Sequence, residues 1–418
     1  MSDAVDYIVV GAGSAGCVLA NRLSANGQHS VCLLEAGPPD RSPWIHIPIG
    51  YGKTMFHKVL NWGYYTEPDP NMLDRRIYWP RGRTLGGSSA INGLIYIRGQ
   101  RQDYDAWAAA GNPGWSWEEC LPYFRKLENN DLGPGATRGT EGPLNATSIK
   151  TPHPLVEGLI GAARALGLPH VTDFNSGDQE GVGYYQLTTR NGRRCSTAVA
   201  YLRPARGRVN LRVETGAHTM AVLFEGSRAC GVRYRQDGQV RTLRARREVI
   251  LCAGALQSPQ LLQLSGVGPA ALLRRFGIGV VRDLPGVGEN LQDHLQIRLI
   301  YETRRPITTN DQLRTLHGRA AMGLQWLLFR AGRWRWASTR AACSAASIRP
   351  APRPTPSSIS PRCRPTWPAA RCIRSRAAPI RCASCGPRRA ARCGCAAPTP
   401  SRPRPCSPTT CPPSWTGA

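Results

Sequence analysis

The fold of this chain is decided by the stretch Asp6-Tyr7-Ile8-Val9-Val10-Gly11-Ala12-Gly13-Ser14-Ala15-Gly16. An apolar run of strand length ends in a Gly-x-Gly-x-x-Gly turn, and apolar residues at helical spacing follow it. The first two glycines allow a tight turn and let the backbone approach a pyrophosphate, and the third lets the helix lie close on the strand. Free N–H groups at the helix start would then face the phosphates. The pattern predicts dinucleotide binding, and a structural turn that binds nothing is the alternative.

A second strand supports the first interpretation. It reads Val31-Cys32-Leu33-Leu34 and ends in Glu35, nineteen residues after Gly16. An acid at this place can accept hydrogen bonds from both hydroxyls of an adenosine ribose, which favours FAD or NAD over NADP. Strand, glycines, helix, strand and acid follow in the expected order, so we favour dinucleotide binding.

Composition divides the 418 residues near position 332. Residues 332–418 contain sixteen arginines but no lysine, aspartate or glutamate, and they hold nine of the fifteen cysteines and sixteen of the 35 prolines. The formal charge of +27 therefore consists of +11 from residues 1–331 and +16 from this tail. Few helix or strand patterns occur in the tail, and its composition favours disorder.

The body of the chain shows no targeting or membrane signal. No apolar run reaches the length of a membrane span, and the first strand begins too early to leave room for a secretory signal. Body cysteines such as Cys32 and Cys252 stand in apolar runs and resemble small buried hydrophobic residues. We expect a cytoplasmic protein without a membrane span and without a metal site.

A second glycine-rich motif follows a loop, residues 38–81, that contains five Trp or Tyr residues between Trp44 and Tyr65. That loop is consistent with a lid over a cofactor or with irregular surface structure. The motif reads Gly82-Arg83-Thr84-Leu85-Gly86-Gly87-Ser88-Ser89-Ala90-Ile91-Asn92-Gly93. Small residues with free N–H groups and hydroxyls make a surface on which a flat polar ring or a diphosphate can rest. A tight helix-packing site is the alternative.

Two further blocks complete the pattern. Residues 249–255 read as a buried strand that runs to a glycine turn, and Ser258 and Pro259 predict the start of a helix. Residues 284–294 form a loop with Pro285, Gly286 and Gly288. With the first two motifs, residues 254–268 and 284–294 resemble the signatures and the flavin-side loop of the glucose-methanol-choline (GMC) family of FAD-dependent alcohol oxidoreductases.

The resemblance implies an α/β fold with two interleaved domains. A Rossmann-like FAD-binding domain would take about residues 1–105 and 200–295, and an incomplete α+β substrate domain would take about residues 106–199 and 296–331. Within the first domain, residues 209–213 and 221–224 read as strands, and residues 231–234 and 239–246 as a polar antiparallel meander. Residues 313–329 predict an amphipathic helix.

The resemblance also implies the cofactor and its contacts. Some relatives bind FAD covalently through a histidine just before the signature asparagine, but Ile91 stands there, so we expect non-covalent FAD. In relatives the backbone near Thr219 touches the adenine. The predicted cofactor-binding residues are Gly11, Gly13, Ser14, Ala15, Gly16, Glu35, Ala36, Thr84, Gly86, Gly87, Ser88, Asn92, Gly93, Thr219, Ala253 and Gly254.

The implied activity is oxidation of a primary alcohol, choline-like or aliphatic, to the aldehyde. A histidine takes the hydroxyl proton, hydride passes to flavin N5, and a quinone or another acceptor takes the electrons. In the family that histidine comes from a C-terminal block without a counterpart here, and His294 lies in the flavin-side loop. The catalytic residue therefore stays unassigned, and we expect weak or absent turnover. The alternatives are a non-catalytic FAD-binding remnant and a nucleic-acid-binding protein that uses its basic tail.

We expect the tail to be out of frame. A GC-rich gene read in the wrong phase yields acid-free sequence rich in Arg, Pro, Ala, Ser and Cys. In a neighbouring phase, suitable codons for residues 333–339, 371–376 and 382–387 allow strings that resemble the family's substrate domain. Zinc at Cys382, Cys385, Cys393 and Cys395 is a weaker interpretation, because no second pair or histidine stands at the required spacing.

Overall fold

The computed structural model describes residues 4–177, 179–294, 296–330, 341–344 and 377–383, and gives only the backbone of 296–299 and of the last two segments. The strands are β1 (Ala4–Val10), β2 (Val31–Glu35), β3 (Tyr64–Tyr65), β4 (Tyr78–Trp79), β5 (Ile95–Tyr96), β6 (Glu128–Asn130), β7 (Leu144–Ala146), β8 (Gly181–Tyr184), β9 (Gln186–Leu187), β10 (Thr189–Arg190), β11 (Arg193–Arg194), β12 (Leu211–Thr215), β13 (His218–Glu225), β14 (Arg228–Gln236), β15 (Gln239–Leu251), β16 (Val267–Gly268), β17 (Arg282–Asp283), β18 (Gln296–Glu302), β19 (Ala341–Ser344) and β20 (Ala377–Ala383).

The helices are α1 (Ser14–Leu23), α2 (Pro43–His46), α3 (Tyr51–Thr54), α4 (Arg101–Ala109), α5 (Trp117–Leu127), α6 (Pro154–Ala165), α7 (Arg203–Ala205), α8 (Gly254–Leu264), α9 (Ala270–Arg275), α10 (Thr309–Arg314) and α11 (Leu316–Phe329). Short 3₁₀ turns span Pro48–Gly50, Pro70–Met72 and Gly87–Ala90, and a π-helix spans Ala198–Leu202. Among the described residues, no helix combines the length and the apolar content that crossing a membrane requires.

A six-stranded sheet in the order β12-β2-β1-β15-β14-β13 organises the fold. β12, β2, β1 and β15 run parallel, and β15, β14 and β13 form an antiparallel meander. Every residue of β2 is buried, as expected for a parallel strand covered on both faces. The predicted α/β fold with a Rossmann-like sheet is confirmed.

Two apolar clusters cover the two faces of this sheet. One contains Val9 and Leu33 of the sheet with Ala20 of α1 and Tyr201 of the π-helix. The other contains Ile8 and Leu34 with Leu261 of α8, and it includes residues of the meander. Because neighbouring residues of β1 and β2 point to opposite faces, both strands need apolar residues at successive positions. The buried free thiols of Cys17, Cys32, Cys195 and Cys230 fit the same requirement.

Residues 239–246 and the stretch 249–255 were predicted as separate elements, but residues 239–251 form the single strand β15. Its first part pairs antiparallel with β14, and its parallel partner β1 lies on the other side. A register shift between Val5 and Tyr7 on β1 accommodates the long strand. The polar first half and the apolar second half therefore belong to one element that joins the meander to the dinucleotide-binding unit.

Two predicted helix boundaries were wrong. α8 begins at Gly254 rather than at Ser258, so that Pro259 lies inside the helix. The predicted helix over residues 313–329 is divided at Thr315, whose extended backbone ends α10 and whose side chain accepts a hydrogen bond from Gly318 N at the start of α11. A capping threonine within an apolar pattern is a start signal that periodicity alone misses.

Small two-stranded sheets occur in and next to the segments that were assigned to a substrate domain. Pairs β5–β9, β6–β7 and β10–β11 fall within residues 95–194, and the domain assignment itself stays a prediction. In the tail, β19 pairs with β8 and β20 pairs with β18. The predictions of disorder and of nucleic-acid binding for the rest of residues 332–418 lie outside the described residues, as do the zinc candidates Cys385, Cys393 and Cys395, and the reading-frame shift stays a prediction.

A buried ion pair holds the segment that follows the second glycine-rich motif. Arg98 and Glu128 contact each other with side chains that are 2% and 0% exposed. Arg98 Nη1 also donates to Thr137 O (2.8 Å), and Gly139 N donates to Glu128 Oε2 (3.3 Å). Each charge has lost its hydration, so each depends on the other for compensation.

Replacement of Glu128 tests this dependence. Glu128→Gln leaves the Arg98 cation buried beside a neutral amide, and we expect the free energy of unfolding to fall by about 3–5 kcal/mol. The control Glu225→Gln breaks the exposed Glu225–Arg244 pair and should cost less than about 1 kcal/mol. Urea unfolding followed by circular dichroism measures both losses. Equal losses would contradict a stabilising role of the buried pair.

Candidate functional site

The first glycine motif allows backbone to lie directly on backbone. A Cβ atom at Gly16 would lie 1.9 Å from Gly11 O, and one at Gly11 would lie 2.6 Å from Cys252 O. Gly11 also has a left-handed backbone, with φ of +97°. These positions therefore require glycine for packing and for the turn. α1 thus starts against the end of β1, beside the residue that follows β15.

The second motif packs on the first. A Cβ atom at Gly87 would lie 2.6 Å from Gly13 Cα, and Gly86 N donates to Ala12 O (2.8 Å). Ser88 Oγ accepts a hydrogen bond from Gly82 N (3.1 Å), which closes the loop on itself. Two glycine-rich segments separated by some seventy residues along the chain therefore form one surface.

Glu35 ends β2 inside this surface and is 5% exposed. Its Oε2 accepts from Ala12 N and its Oε1 from Gly37 N, both at 2.9 Å. Burial raises the pKa of Glu35 to about 7, although the two backbone donors and the Arg83 charge oppose the increase. Each carboxylate oxygen keeps a further lone pair for another donor.

Two helix N-termini meet at the same place. α1 begins at Ser14 and α8 at Gly254, and neither has a side-chain cap or an acidic residue in its first turn. Their first N–H groups have no partners within the helix and carry partial positive charge. Because the sequence predicted a helix start at Ser258, it did not predict that the N-terminus of α8 lies at this place. The arrangement can hold an anionic group between the two helices.

A cavity of about 490 Å³ joins these features. Eleven of the predicted residues line it: Gly11, Gly13, Ser14, Ala15, Glu35, Ala36, Gly87, Ser88, Thr219, Ala253 and Gly254. A larger surface groove of about 890 Å³ lies along α1, α5 and residues 134–143 and contains none of the predicted residues. The polar groups described above therefore converge on the smaller cavity.

Five predicted residues do not line the cavity. Gly16 and Gly86 serve the backbone contacts, and buried Thr84 donates through Oγ1 to Pro38 O (2.8 Å). Asn92 and its neighbour Gly93 follow the 3₁₀ turn, and Asn92 Oδ1 accepts from Arg194 Nη1 (2.7 Å) and from Leu94 N (3.1 Å). These residues support the wall of the cavity or lie at its edge, and they do not line it.

Several cavity-lining residues were not predicted, among them Trp62, Arg81 and His218. The Trp62 ring lies 5.7 Å from that of His218, and the Arg83 guanidinium lies 4.8 Å from the Trp62 ring centre. The lid interpretation of residues 38–81 had indicated aromatic residues near a cofactor, but no periodic pattern identified Trp62 among them.

The residues present fit a dinucleotide. Thr219 Oγ1 is inaccessible and lacks a hydrogen-bond partner among the described residues, although its residue lines the cavity. Nothing lies within 4 Å of a Cβ placed at Gly254, and the nearest atom to one at Gly13 is 3.9 Å away. The cavity thus offers open space beside both helix ends, with one acceptor at Glu35.

None of these residues is identified as a base that could remove the hydroxyl proton of an alcohol. His218 is the only histidine that lines the described cavity, and it packs against Trp62. His294 is exposed, and its backbone N–H is bound by the Asp293 side chain. The catalytic residue therefore stays unassigned.

Comparison with known proteins identifies the family. The family model for GMC oxidoreductases matches residues 5–296. The chain is 48% identical over 332 residues to mitochondrial choline dehydrogenase of Mus musculus, covering 78% of this chain and 56% of the relative. Among solved structures it resembles pyridoxine 4-oxidase from Mesorbium loti (TM-score 0.70, 37% identity, 72% of this chain and 60% of that one). It also resembles an FAD-dependent oxidoreductase from Chaetomium thermophilum (TM-score 0.75, 31% identity, 81% and 61%).

The chain spans about three fifths of the length of these relatives. The prediction of the family, and with it of FAD as the cofactor, is confirmed. The sheet, the convergent helix ends and the buried acid fall within the matched region. The chain belongs to the GMC oxidoreductase family.

Proposed function

We propose that this chain binds FAD non-covalently in the cavity between α1 and α8, as part of an enzyme that oxidises a primary alcohol. The observation that carries the proposal is the convergence of two uncapped helix N-termini and the Glu35 carboxylate on one cavity. Positive helix ends suit a diphosphate, and a buried acceptor suits ribose hydroxyls.

The proposed contacts follow the polarity of the site. Gly13, Ser14 and Ala15 would hold the diphosphate, and Glu35 would accept from the ribose hydroxyls. Thr219 would lie at the adenine, because it lines the cavity together with the apolar residues Ala217 and Leu34.

On the other side of the diphosphate, residues 86–88 with Asn92 and Gly93 would form the flavin side, and Ala253 and Gly254 would contribute backbone. Ile91, which is buried and carries no nucleophile, supports non-covalent attachment.

The substrate proposal rests on the relatives. When bound, FAD supplies a hydride acceptor for oxidation of a CH–OH group. A choline-like or aliphatic primary alcohol is the substrate class that the choline dehydrogenase relative supports. We propose a quinone or another acceptor for the electrons. The described residues would bind and orient the cofactor, whereas the base that removes the hydroxyl proton would come from outside them.

FAD titration of the purified chain tests the cofactor site. We expect quenching of flavin fluorescence with a single dissociation constant. Gly13→Ala should weaken binding by about tenfold or more, because its methyl group takes space beside the start of α1 that the diphosphate needs. Gly279→Ala, at an exposed glycine with nothing within 4 Å of its Cβ, is the matched control. Absence of binding by the unmodified chain would refute the proposal.

The pH dependence of FAD affinity tests Glu35. Only the carboxylate can accept from both ribose hydroxyls. With a pKa raised to about 7 by burial, the group is mostly protonated at pH 6 and mostly ionised at pH 8. We expect the FAD dissociation constant to fall about tenfold between these values.

Glu35→Gln should bind FAD more weakly and without this pH dependence, and Glu225→Gln should retain the slope. The free chain should show the opposite trend in stability. Because its folded pKa is raised, Glu35 contributes stability that is complete below its unfolded pKa and is lost as pH rises through about 7. A slope that persists in Glu35→Gln would assign the titration to another group.

Anaerobic mixing of the FAD-loaded chain with choline or an aliphatic primary alcohol tests the reaction step. We expect weak or absent bleaching of the flavin, because no described histidine is placed as a base in the cavity apart from His218, which packs on Trp62. Dithionite should bleach the same sample fully, as a control for reducible flavin. Complete bleaching by an alcohol would show that the chain contains its own base.

A further inference from the structure

Arg194 is a buried cation without an acidic partner. It is 1% exposed, and no carboxylate forms an ion pair with it among the described residues. Burial lowers its pKa to about 9, which leaves the guanidinium protonated at neutral pH. A buried charge is costly unless hydrogen bonds compensate it. The hydrogen-bond partners of Arg194 therefore indicate its role.

All its hydrogen bonds in the described structure are to oxygen atoms of helix α2 and of residues 89–92. Nε donates to Ile45 O (2.8 Å), and Nη1 donates to Ser89 O (3.1 Å) and to Asn92 Oδ1 (2.7 Å). Nη2 donates to Asn92 O (2.8 Å). Three of the four bonds hold residues 89–92, which directly follow the cavity-lining Ser88. The guanidinium therefore crosslinks this turn to helix α2, which precedes the second glycine motif.

A tight hairpin places Arg194 behind the turn. β10 and β11 are joined by Asn191 and Gly192, both with positive φ (+49° and +69°), which is the geometry of a two-residue type I′ hairpin. The following residues strengthen the contact, since Thr197 N donates to Ser89 Oγ (3.1 Å). Both the hairpin and the segment after it thus pack on the same turn.

The bonds from Arg194 also set the orientation of the Asn92 amide. Asn92 Oδ1 accepts from Arg194 and from Leu94 N, so both lone pairs of that oxygen are used. The Nδ2 group makes no hydrogen bond within the described residues, and the side chain is exposed. A rotated amide would place its NH₂ group against the arginine, which cannot accept. Arg194 therefore selects the orientation that leaves a donor free.

We propose that Arg194 is a positioning residue of the FAD site, which holds residues 89–92 and fixes Asn92 so that its NH₂ group is presented as a donor to the cofactor. The inference rests on the proposed function. The bonds to the backbone oxygens of Ser89 and Asn92 hold the turn, and the bond to Asn92 Oδ1 in addition fixes the orientation of the amide.

Two substitutions separate the parts of this role. Arg194→Met keeps an apolar stem and removes the donors, so the turn loses its crosslink. Asn92→Asp removes the NH₂ donor and gives Arg194 a carboxylate, so the turn is retained. We expect faster amide hydrogen exchange at residues 89–94 in Arg194→Met and unchanged or slower exchange there in Asn92→Asp.

Both variants should bind FAD about tenfold more weakly or worse, and both should shift the visible spectrum of bound flavin at saturation. Arg98→Met is the matched control, since Arg98 is buried but contacts Thr137 and Glu128 rather than the turn. It should lose stability without a change in exchange at residues 89–94 or in the flavin spectrum.

The outcomes distinguish the two proposals. If the unmodified chain does not bind FAD, the proposed function fails and takes this inference with it. If the unmodified chain binds FAD and Arg194→Met binds it equally well with the same spectrum, only the inference on Arg194 is overturned. Equal effects of Arg98→Met and Arg194→Met on affinity and spectrum would reduce Arg194 to a general contributor to stability.

Discussion

Backbone lies directly against backbone at the centre of this molecule, and the rest of the site depends on that contact. The residue after β15 touches the turn after β1, and the second glycine motif touches Gly13, at distances that leave no room for a Cβ atom. A side chain at Gly11, Gly16 or Gly87 would separate the segments. Because interiors are close-packed and yield little, such a separation would move the ends of β1, β15 and the turn at residues 87–90 together.

Close contact at the strand ends determines which polar groups face the cavity. With α1 and α8 both starting there, their unpaired N–H groups point at a common space. Glu35 reaches the same space because β2 lies beside β1. Its carboxylate accepts hydrogen bonds from Ala12 N and Gly37 N. The site thus consists of groups that the sheet topology must place together, which is typical of the carboxyl ends of parallel strands.

Sequence predicted the local part of this arrangement well. The unit from β1 through α1 to Glu35 is contiguous, and its glycine spacing encodes both the turn and the close packing. The start of α8 was misplaced because Ser258 and Pro259 mimic a helix start, whereas the true start follows from where β15 ends. The contact between Gly87 and Gly13 and the burial of Arg194 depend on tertiary packing, so no local pattern contains them. Asn-Gly is typical of a two-residue hairpin turn, but the Asn191-Gly192 pair does not indicate which neighbouring arginine the hairpin buries.

The polarity of the cavity limits how a dinucleotide can enter it. Each helix N-terminus carries roughly half a positive charge, and the described cavity wall contains a single carboxylate, Glu35. A ligand with its diphosphate at the helix ends and its ribose at Glu35 satisfies both groups. The reverse placement would bring phosphate against a buried carboxylate and hydroxyls against unpaired N–H groups. Since Glu35 must also release its proton to accept two hydroxyls, its ionisation and the correct placement of the adenosine half stabilise each other.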